Sequence, residues 1–225
     1  MTTITNQKYQ DHECIETIEY CLEQAIQGNS LIPDYCLTIE GMSGLIYRKF
    51  INNFMRSIEN PRYLEIGSWR GSTFCAAIGG VEGIEALSVD NFSHPGGSMD
   101  AIKENVDKCK DATAKIEILD QNFDDFDFTA HGKFNVYMYD AWHSEEAQRD
   151  AIIRVVPALE EISLIVVDDW NDHGYTTPVK IGTYAGFEQS GLEILYKFEI
   201  ETGVNPPFPS EWHNGYAVFL VKKKV

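Results

Sequence analysis

Three acidic side chains and one imidazole stand where two apolar runs end. Phe134-Asn-Val-Tyr-Met-Tyr139 leads into Asp140-Ala-Trp142-His143, and Ser163-Leu-Ile-Val-Val167 leads into Asp168-Asp169. As neighbouring parallel strands, the two runs would end on one rim and bring three carboxylates together. Buried like charges repel, so such a cluster calls for a cation or a proton. Oxygen donors suit a hard divalent ion such as magnesium, which makes Asp140, Asp168 and Asp169 candidate metal ligands. Such an ion would bind hydroxyl groups and lower their pKa. His143 is the candidate base for a hydroxyl proton, with Asp140 beside it as the second catalytic candidate. Helix capping or solvent exposure is the plainer reading of His143, and turn capping that of Asp169.

A second constellation lies upstream. Arg62-Tyr-Leu-Glu-Ile66 reads as a buried strand, Gly67-Ser-Trp-Arg-Gly71 as a glycine turn, and Ser72-Thr73 as the start of a helix with capping hydroxyls. Such turns sit at the carboxyl ends of strands, where open α/β sheets bind nucleotides. A dinucleotide loop needs a middle glycine, and here Trp69 occupies that place. A bulky side chain there obstructs a pyrophosphate, so a ligand without phosphate fits better. The next apolar run ends in Asp90-Asn91, an acidic strand end that can accept bonds from both ribose hydroxyls of a nucleoside. The following Pro95-Gly96-Gly97 reads as a loop near the ligand. A third run ends in Asp120-Gln121-Asn122-Phe123, with amide donors and acceptors and a ring for stacking on a base.

The run Leu64-Glu65-Ile66-Gly67-x-x-x-Gly71-Ser72 resembles motif I of the class I S-adenosylmethionine-dependent methyltransferases. The resemblance implies that the loop backbone holds the amino-acid end of S-adenosylmethionine. It makes Glu65, Gly67, Ser68, Gly71, Ser72, Thr73, Asp90, Asn91, Gln121, Asn122, Asp140 and Trp142 the expected cofactor-binding residues. Asp140 and the pair Asp168-Asp169 resemble the layout of the metal-dependent O-methyltransferases, catechol O-methyltransferase among them. His143 stands where that enzyme has a lysine base. A methyltransferase family carrying Asp-Gly-Asp-His-Ser-Tyr-Glu is also similar: Asp140, His143, Ser144 and Glu146 match, whereas Ala141, Trp142 and Glu145 depart. The missing second Asp weakens the implied metal site. The resemblance spans residues 41 to 221 by motif order, and it implies O-methylation of a small-molecule or sugar-like hydroxyl. An NAD-dependent oxidoreductase and a non-catalytic nucleoside-binding module are the competing readings.

The elements that must position these residues alternate. Candidate strands are 62–66, 85–89, 115–119, 134–139 and 163–167, separated by helices near 72–78, 99–109 and 145–156. That alternation predicts an α/β fold with right-handed crossovers, a Rossmann-like three-layer sandwich. A weaker helix is expected over 179–189, capped by Gly191. Two further strands, 193–200 and 216–221, lack a crossover helix and predict a seven-stranded, mostly parallel sheet with an antiparallel last strand. The connector 201–214 holds Pro206, Pro207 and Pro209. Trp212-His213-Asn214-Gly215 reads as turn punctuation or as acceptor lining. His173 and Tyr175 could also reach a substrate. Apolar stripes Ile15/Ile18/Leu22/Ala25 and Ile46/Phe50/Phe54/Ile58 predict two helices within residues 1–60, a lid or dimer contact in the same domain as the methyltransferase region 61–225.

The 225 residues carry 18 Lys+Arg against 35 Asp+Glu, a formal net charge of −17. Such a chain repels a phosphate backbone or an anionic bilayer, which excludes nucleic acid and membrane as expected partners. The five cysteines are odd in number and scattered, so reduced structural thiols are expected. The polar first eleven residues carry no signal-peptide core and no run approaches a membrane span, which points to the cytoplasm.

Overall fold

The computed structural model describes residues 2–171, 177–203 and 209–224. Its eight strands belong to one sheet, mostly parallel with antiparallel strands at one side, and helices flank the strands. The chain divides into two compact units, residues 16–126 with 208–211, and residues 1–15, 127–207 and 212–225.

The first unit holds α1 (Glu13–Ile26, from its fourth residue), α2 (Asp34–Thr38) and α3 (Leu45–Ser57). It continues with β2 (Arg62–Ile66), α4 (Ser72–Ile78), β3 (Glu85–Asp90), α5 (Met99–Cys109) and β4 (Lys115–Asp120), with β1 (Thr3–Lys8) belonging to the other unit. β2, β3 and β4 pair in parallel, Ile66 opposite Val89 and Asp90 opposite Asp120. In β2 every residue after Arg62 is buried, and so is all of α4. Tyr63 stacks on Phe74 at 5.8 Å between centroids, fixing the angle at which the strand hands over to the helix. Gly28 (φ +87°) ends the first helix run as expected. All five cysteines are free thiols. Cys36 hydrogen-bonds Cys109, and this contact together with burial pushes its thiol up, away from thiolate chemistry.

The second unit holds β1 (Thr3–Lys8), β5 (Phe134–Tyr139), α6 (Glu145–Val155), β6 (Leu159–Asp168), α7 (Pro178–Ser190), β7 (Leu192–Glu201) and β8 (Tyr216–Lys223). The strand order is β1-β7-β8-β6-β5. β5 and β6 are parallel, as two apolar strands joined by a helix should be. β8 is antiparallel to both β6 and β7, so the final strand is inserted rather than peripheral. The edge belongs to β1, the strand that raises the expected seven to eight; all six of its residues are exposed and it pairs with β7.

Helix caps follow the sequence. Ser144 accepts from the Ala147 N–H, and Thr177 from the Lys180 N–H ahead of Pro178. α6 and α7 touch through small residues: a Cβ on Gly182 would lie 2.3 Å from the Glu145 carbonyl oxygen, and one on Gly186 2.7 Å from Ile152 Cβ. Trp170 is fully buried against Tyr184 and Phe219, which anchors the chain just past the Asp168-Asp169 pair.

Candidate functional site

Consider first the glycine loop after β2. Gly67 (φ +88°) and Gly71 (φ +83°) both need the left-handed region, where a side chain is strained. At Gly71 a Cβ would also lie 2.7 Å from Ile102 Cγ1, so the close approach of α5 demands glycine a second time. Gly71 is itself the residue that opens α4, with no side-chain cap. Ser72 and Thr73 therefore do not cap the helix as expected; they sit inside its first turn and are buried.

Ser72 is engaged elsewhere. Its hydroxyl lies 3.1 Å from that of Ser43, which accepts from Arg48 Nε at 2.9 Å. Arg48 also donates to the carbonyls of Ile39 and Cys36, and burial lowers its pKa to about 10. Gly41 permits this approach, since a Cβ there would meet the Ser72 hydroxyl. Sequence reasoning missed this network because Arg48 falls on an amphipathic helix where a charge ordinarily faces water. Beneath the loop, Glu65 is buried and accepts from the Tyr63 hydroxyl, and the Ser88 hydroxyl donates to Ser68 Oγ at 2.8 Å.

Asp90 ends β3 and is half-buried. Its Oδ2 accepts from the Ser68 and Trp69 N–H groups, each at 2.7 Å, and its Oδ1 from the Phe92 N–H at 2.6 Å. Asn91 and Asn122 meet, Nδ2 to Oδ1 at 2.6 Å, and the Gln121 N–H donates to the Asp90 carbonyl. The structure thus gathers Gly67, Ser68, Asp90, Asn91, Gln121 and Asn122 around the carboxyl ends of β2, β3 and β4.

The second cluster lies at the ends of β5 and β6. His143 Nε2 is 2.9 Å from Asp169 Oδ2, and Asn214 Nδ2 donates to Asp169 Oδ1 at 2.7 Å. Asp140, His143 and Asp169 each offer a ligand atom within 4.8 Å of the others. Asp168 lies behind this group. It is buried, hydrogen-bonds Asp140, and leaves its Oδ1 buried with no partner. Burial pushes its carboxyl well above the usual range, and the charges of Asp140 and Asp169 push it further. Burial also pushes Asp169 upward, but the His143 hydrogen bond and charge, with Asn214, outweigh it and hold that carboxyl below its ordinary value. Trp142 is largely exposed, with its carbonyl held by Gln148.

Asp169 (φ +52°) and His213 (φ +47°) are both left-handed. Strain of this kind persists where surrounding bonds over-determine it. Asn171 supplies such bonds: its amide pairs with both backbone groups of Thr202, and its N–H donates to the Asn214 carbonyl. Gly215 gives it room, since a Cβ there would lie 2.2 Å from Asn171 Oδ1. The Trp212–Gly215 segment is therefore both a turn and the partner of Asp169. The Gly215 signal was legible, but the long-range pairing was not. His173 and Tyr175 lie outside the described residues.

A family model described as a methyltransferase domain covers a little under half of the chain. Residues 64–170 match this methyltransferase domain. The matched stretch contains the glycine loop, Asp90, the amide turn at 121–122 and both ends of the carboxylate cluster, but stops short of Asn171 and Asn214. Solved structures extend the likeness in fold. Cofactor-bound Rv0187 from MTB superposes with a TM-score of 0.55 at 16% identity, over 95% of this chain and 92% of that one. The O-methyltransferase from Bacillus cereus in complex with SAH gives 0.51 at 14%, over 92% and 91%. TrmN from Thermus thermophilus gives 0.52 at 9%, over 80% and 48%. No curated protein matches the chain. The fold is thus the Rossmann-like α/β fold of these solved structures, and residues 64–170 are similar to the methyltransferase-domain model. Among the described residues, no helix is long and apolar enough to cross a membrane.

Proposed function

We propose that the protein is an S-adenosylmethionine-dependent methyltransferase acting on a hydroxyl oxygen of a small, sugar-like or phenolic molecule. The observation that carries the reading is the strand–loop–helix of residues 64–72, inside the matched methyltransferase domain, with Asp90 on the next strand end. Glycines at two left-handed positions and a half-buried Trp69 in place of a middle glycine suit a nucleoside ligand without pyrophosphate.

Bound S-adenosylmethionine would supply an activated methyl carbon; its transfer would form an O–C bond as the C–S bond breaks, and the acceptor O–H would give up its proton. Glu65, Gly67, Ser68, Gly71, Ser72 and Thr73 would hold the amino-acid end of the donor, and Asp90, Asn91, Gln121 and Asn122 the adenosine. His143 takes the hydroxyl proton. Its Nε2–H is directed at Asp169, and a neutral imidazole that donates from Nε2 carries its lone pair on Nδ1. Asp169 stabilises the imidazolium so formed.

The acidic residues also fit a divalent cation. Asp168 keeps an unpartnered buried oxygen beside two further carboxylates, a combination that a cation relieves. Asp140, Asp168 and Asp169 would hold magnesium, which would acidify a bound hydroxyl and orient it. The test is transfer of a labelled methyl group to a panel of hydroxyl compounds, with and without chelator. Label appearing as an ether supports the reading, and chelator sensitivity supports the cation.

Asp168 gives a separate expectation. Its folded-state pKa is raised, so its contribution is favourable below the unfolded pKa and is lost as pH rises through the folded one. Asp168→Asn removes that loss. In chelator at pH 7 the variant should melt higher than the parent, and added magnesium should no longer raise its Tm. Melting curves at pH 5 and pH 7 check both, the gain being larger at pH 7. A lower Tm at both pH values would mean that Asp168 is ionised and paired.

A further inference from the structure

Two bulky residues near the glycine loop take the left-handed region, Trp69 (φ +48°) and Phe92 (φ +51°). Such residues seldom do so without compensation. Here the compensation is one carboxylate. The N–H of Trp69 donates to Asp90 Oδ2 and that of Phe92 to Asp90 Oδ1, at 2.7 Å and 2.6 Å, and Ser68 shares Oδ2. Charge-assisted bonds of this length are about twice as strong as neutral ones. Trp69 then joins the same two loops through its side chain. Its indole N–H donates to the Pro95 carbonyl at 3.1 Å, and its own carbonyl accepts from the Ser98 N–H at 3.3 Å. The ring lies so close over the glycines that a Cβ on Gly96 would sit 3.0 Å from Cζ2, and one on Gly97 3.2 Å from Cδ1. Ser98 in turn caps α5.

We infer that Asp90 and Trp69 form a latch that joins the 67–71 loop to the 91–98 loop and pre-forms the donor cradle before ligand arrives. Both are positioning residues. The inference rests on the methyltransferase reading for the ligand, an adenosine-type nucleoside, and goes beyond it in what Asp90 does. Three backbone N–H groups already occupy the carboxylate, so Asp90 raises donor affinity chiefly by ordering the loops and less by touching ribose. Affinity gained in this way comes from an ordering cost met before binding.

The test has two arms. In the ligand-free protein, Asp90→Asn should speed hydrogen exchange at the amides of residues 68, 69 and 92 by at least about tenfold, leaving β5 and β6 unchanged. Trp69→Ala should speed exchange at residue 98, and Trp69→Phe, which keeps the ring on the glycines, should restore most of the protection. Exchange unchanged at these amides overturns the latch. In the second arm, S-adenosylhomocysteine and its 2′,3′-dideoxy analogue are titrated into parent and Asp90→Asn. The latch predicts the same fold-loss for both ligands, at least about tenfold. A loss confined to the ligand with ribose hydroxyls overturns it in favour of direct contact. Faster exchange in the variant with neither ligand binding the parent upholds the latch and sinks the donor reading instead.

Discussion

His143→Ala is expected to lower kcat by about 10²–10⁴-fold at saturating donor, the range that a positioned general base supplies. The geometry argues for a base rather than a cap. The cap of α6 is Ser144, whose side chain accepts from the Ala147 N–H, so His143 is not needed there. Its ring is instead directed at Asp169, whose carboxyl is held ionised by that contact and by Asn214. The support behind Asp169 is costly, with left-handed backbone at Asp169 and His213, and Asn171 tied to Thr202 and Asn214. A solvent-facing histidine would require none of it. Asp169→Asn should lose activity comparably, because an amide cannot stabilise the imidazolium as a carboxylate does. S-adenosylhomocysteine affinity should stay within about threefold of the parent in both variants. Steady-state kinetics with calorimetry separate the two effects. A kcat loss below about threefold would move the proton to another acceptor and leave the cluster to a cation.

Gly71→Ala should destabilise the fold by about 2–5 kcal/mol, from about 1–2 for left-handed backbone and about 1–3 for overpacking against Ile102. In a chain of this size that is a fall of about 4–20 °C in Tm. Gly83→Ala is the matched control. Gly83 is also left-handed (φ +67°), but a Cβ there meets nothing within 4 Å. Its variant should show only the backbone part, about 2–8 °C. Calorimetric melting of the two variants isolates the close approach of Ile102 to the loop. Equal shifts would mean that α5 yields and that the loop is less constrained than its geometry implies.

The parts of the fold that were legible are those with a local cause. Apolar runs ending in glycine or aspartate located five strands, two further apolar runs located β7 and β8, and the stripe from Ile46 to Ile58 located α3. β1 was not legible, because Thr3–Lys8 has no apolar alternation and is a strand only through its pairing with β7. In the candidate site, residue types and strand ends placed Asp140, His143, Asp168 and Asp169 near one another. Their division of labour was not readable: Asp168 lies behind, and His143 joins Asp140 and Asp169 in front. The capping role given to Ser72 failed because Gly71 opens α4 and Ser72 falls inside its first turn, where its hydroxyl meets that of Ser43. Long-range partners such as Asn214 for Asp169 carry no local spacing, so no periodicity announces them.

The most direct test of the central claim is a calorimetric titration of the ligand-free protein with S-adenosylhomocysteine and, separately, with NAD. The account predicts one site for S-adenosylhomocysteine and no heat of binding for NAD, whose pyrophosphate meets Trp69. Binding of NAD alone would make the chain a nicotinamide-dependent protein and contradict the account.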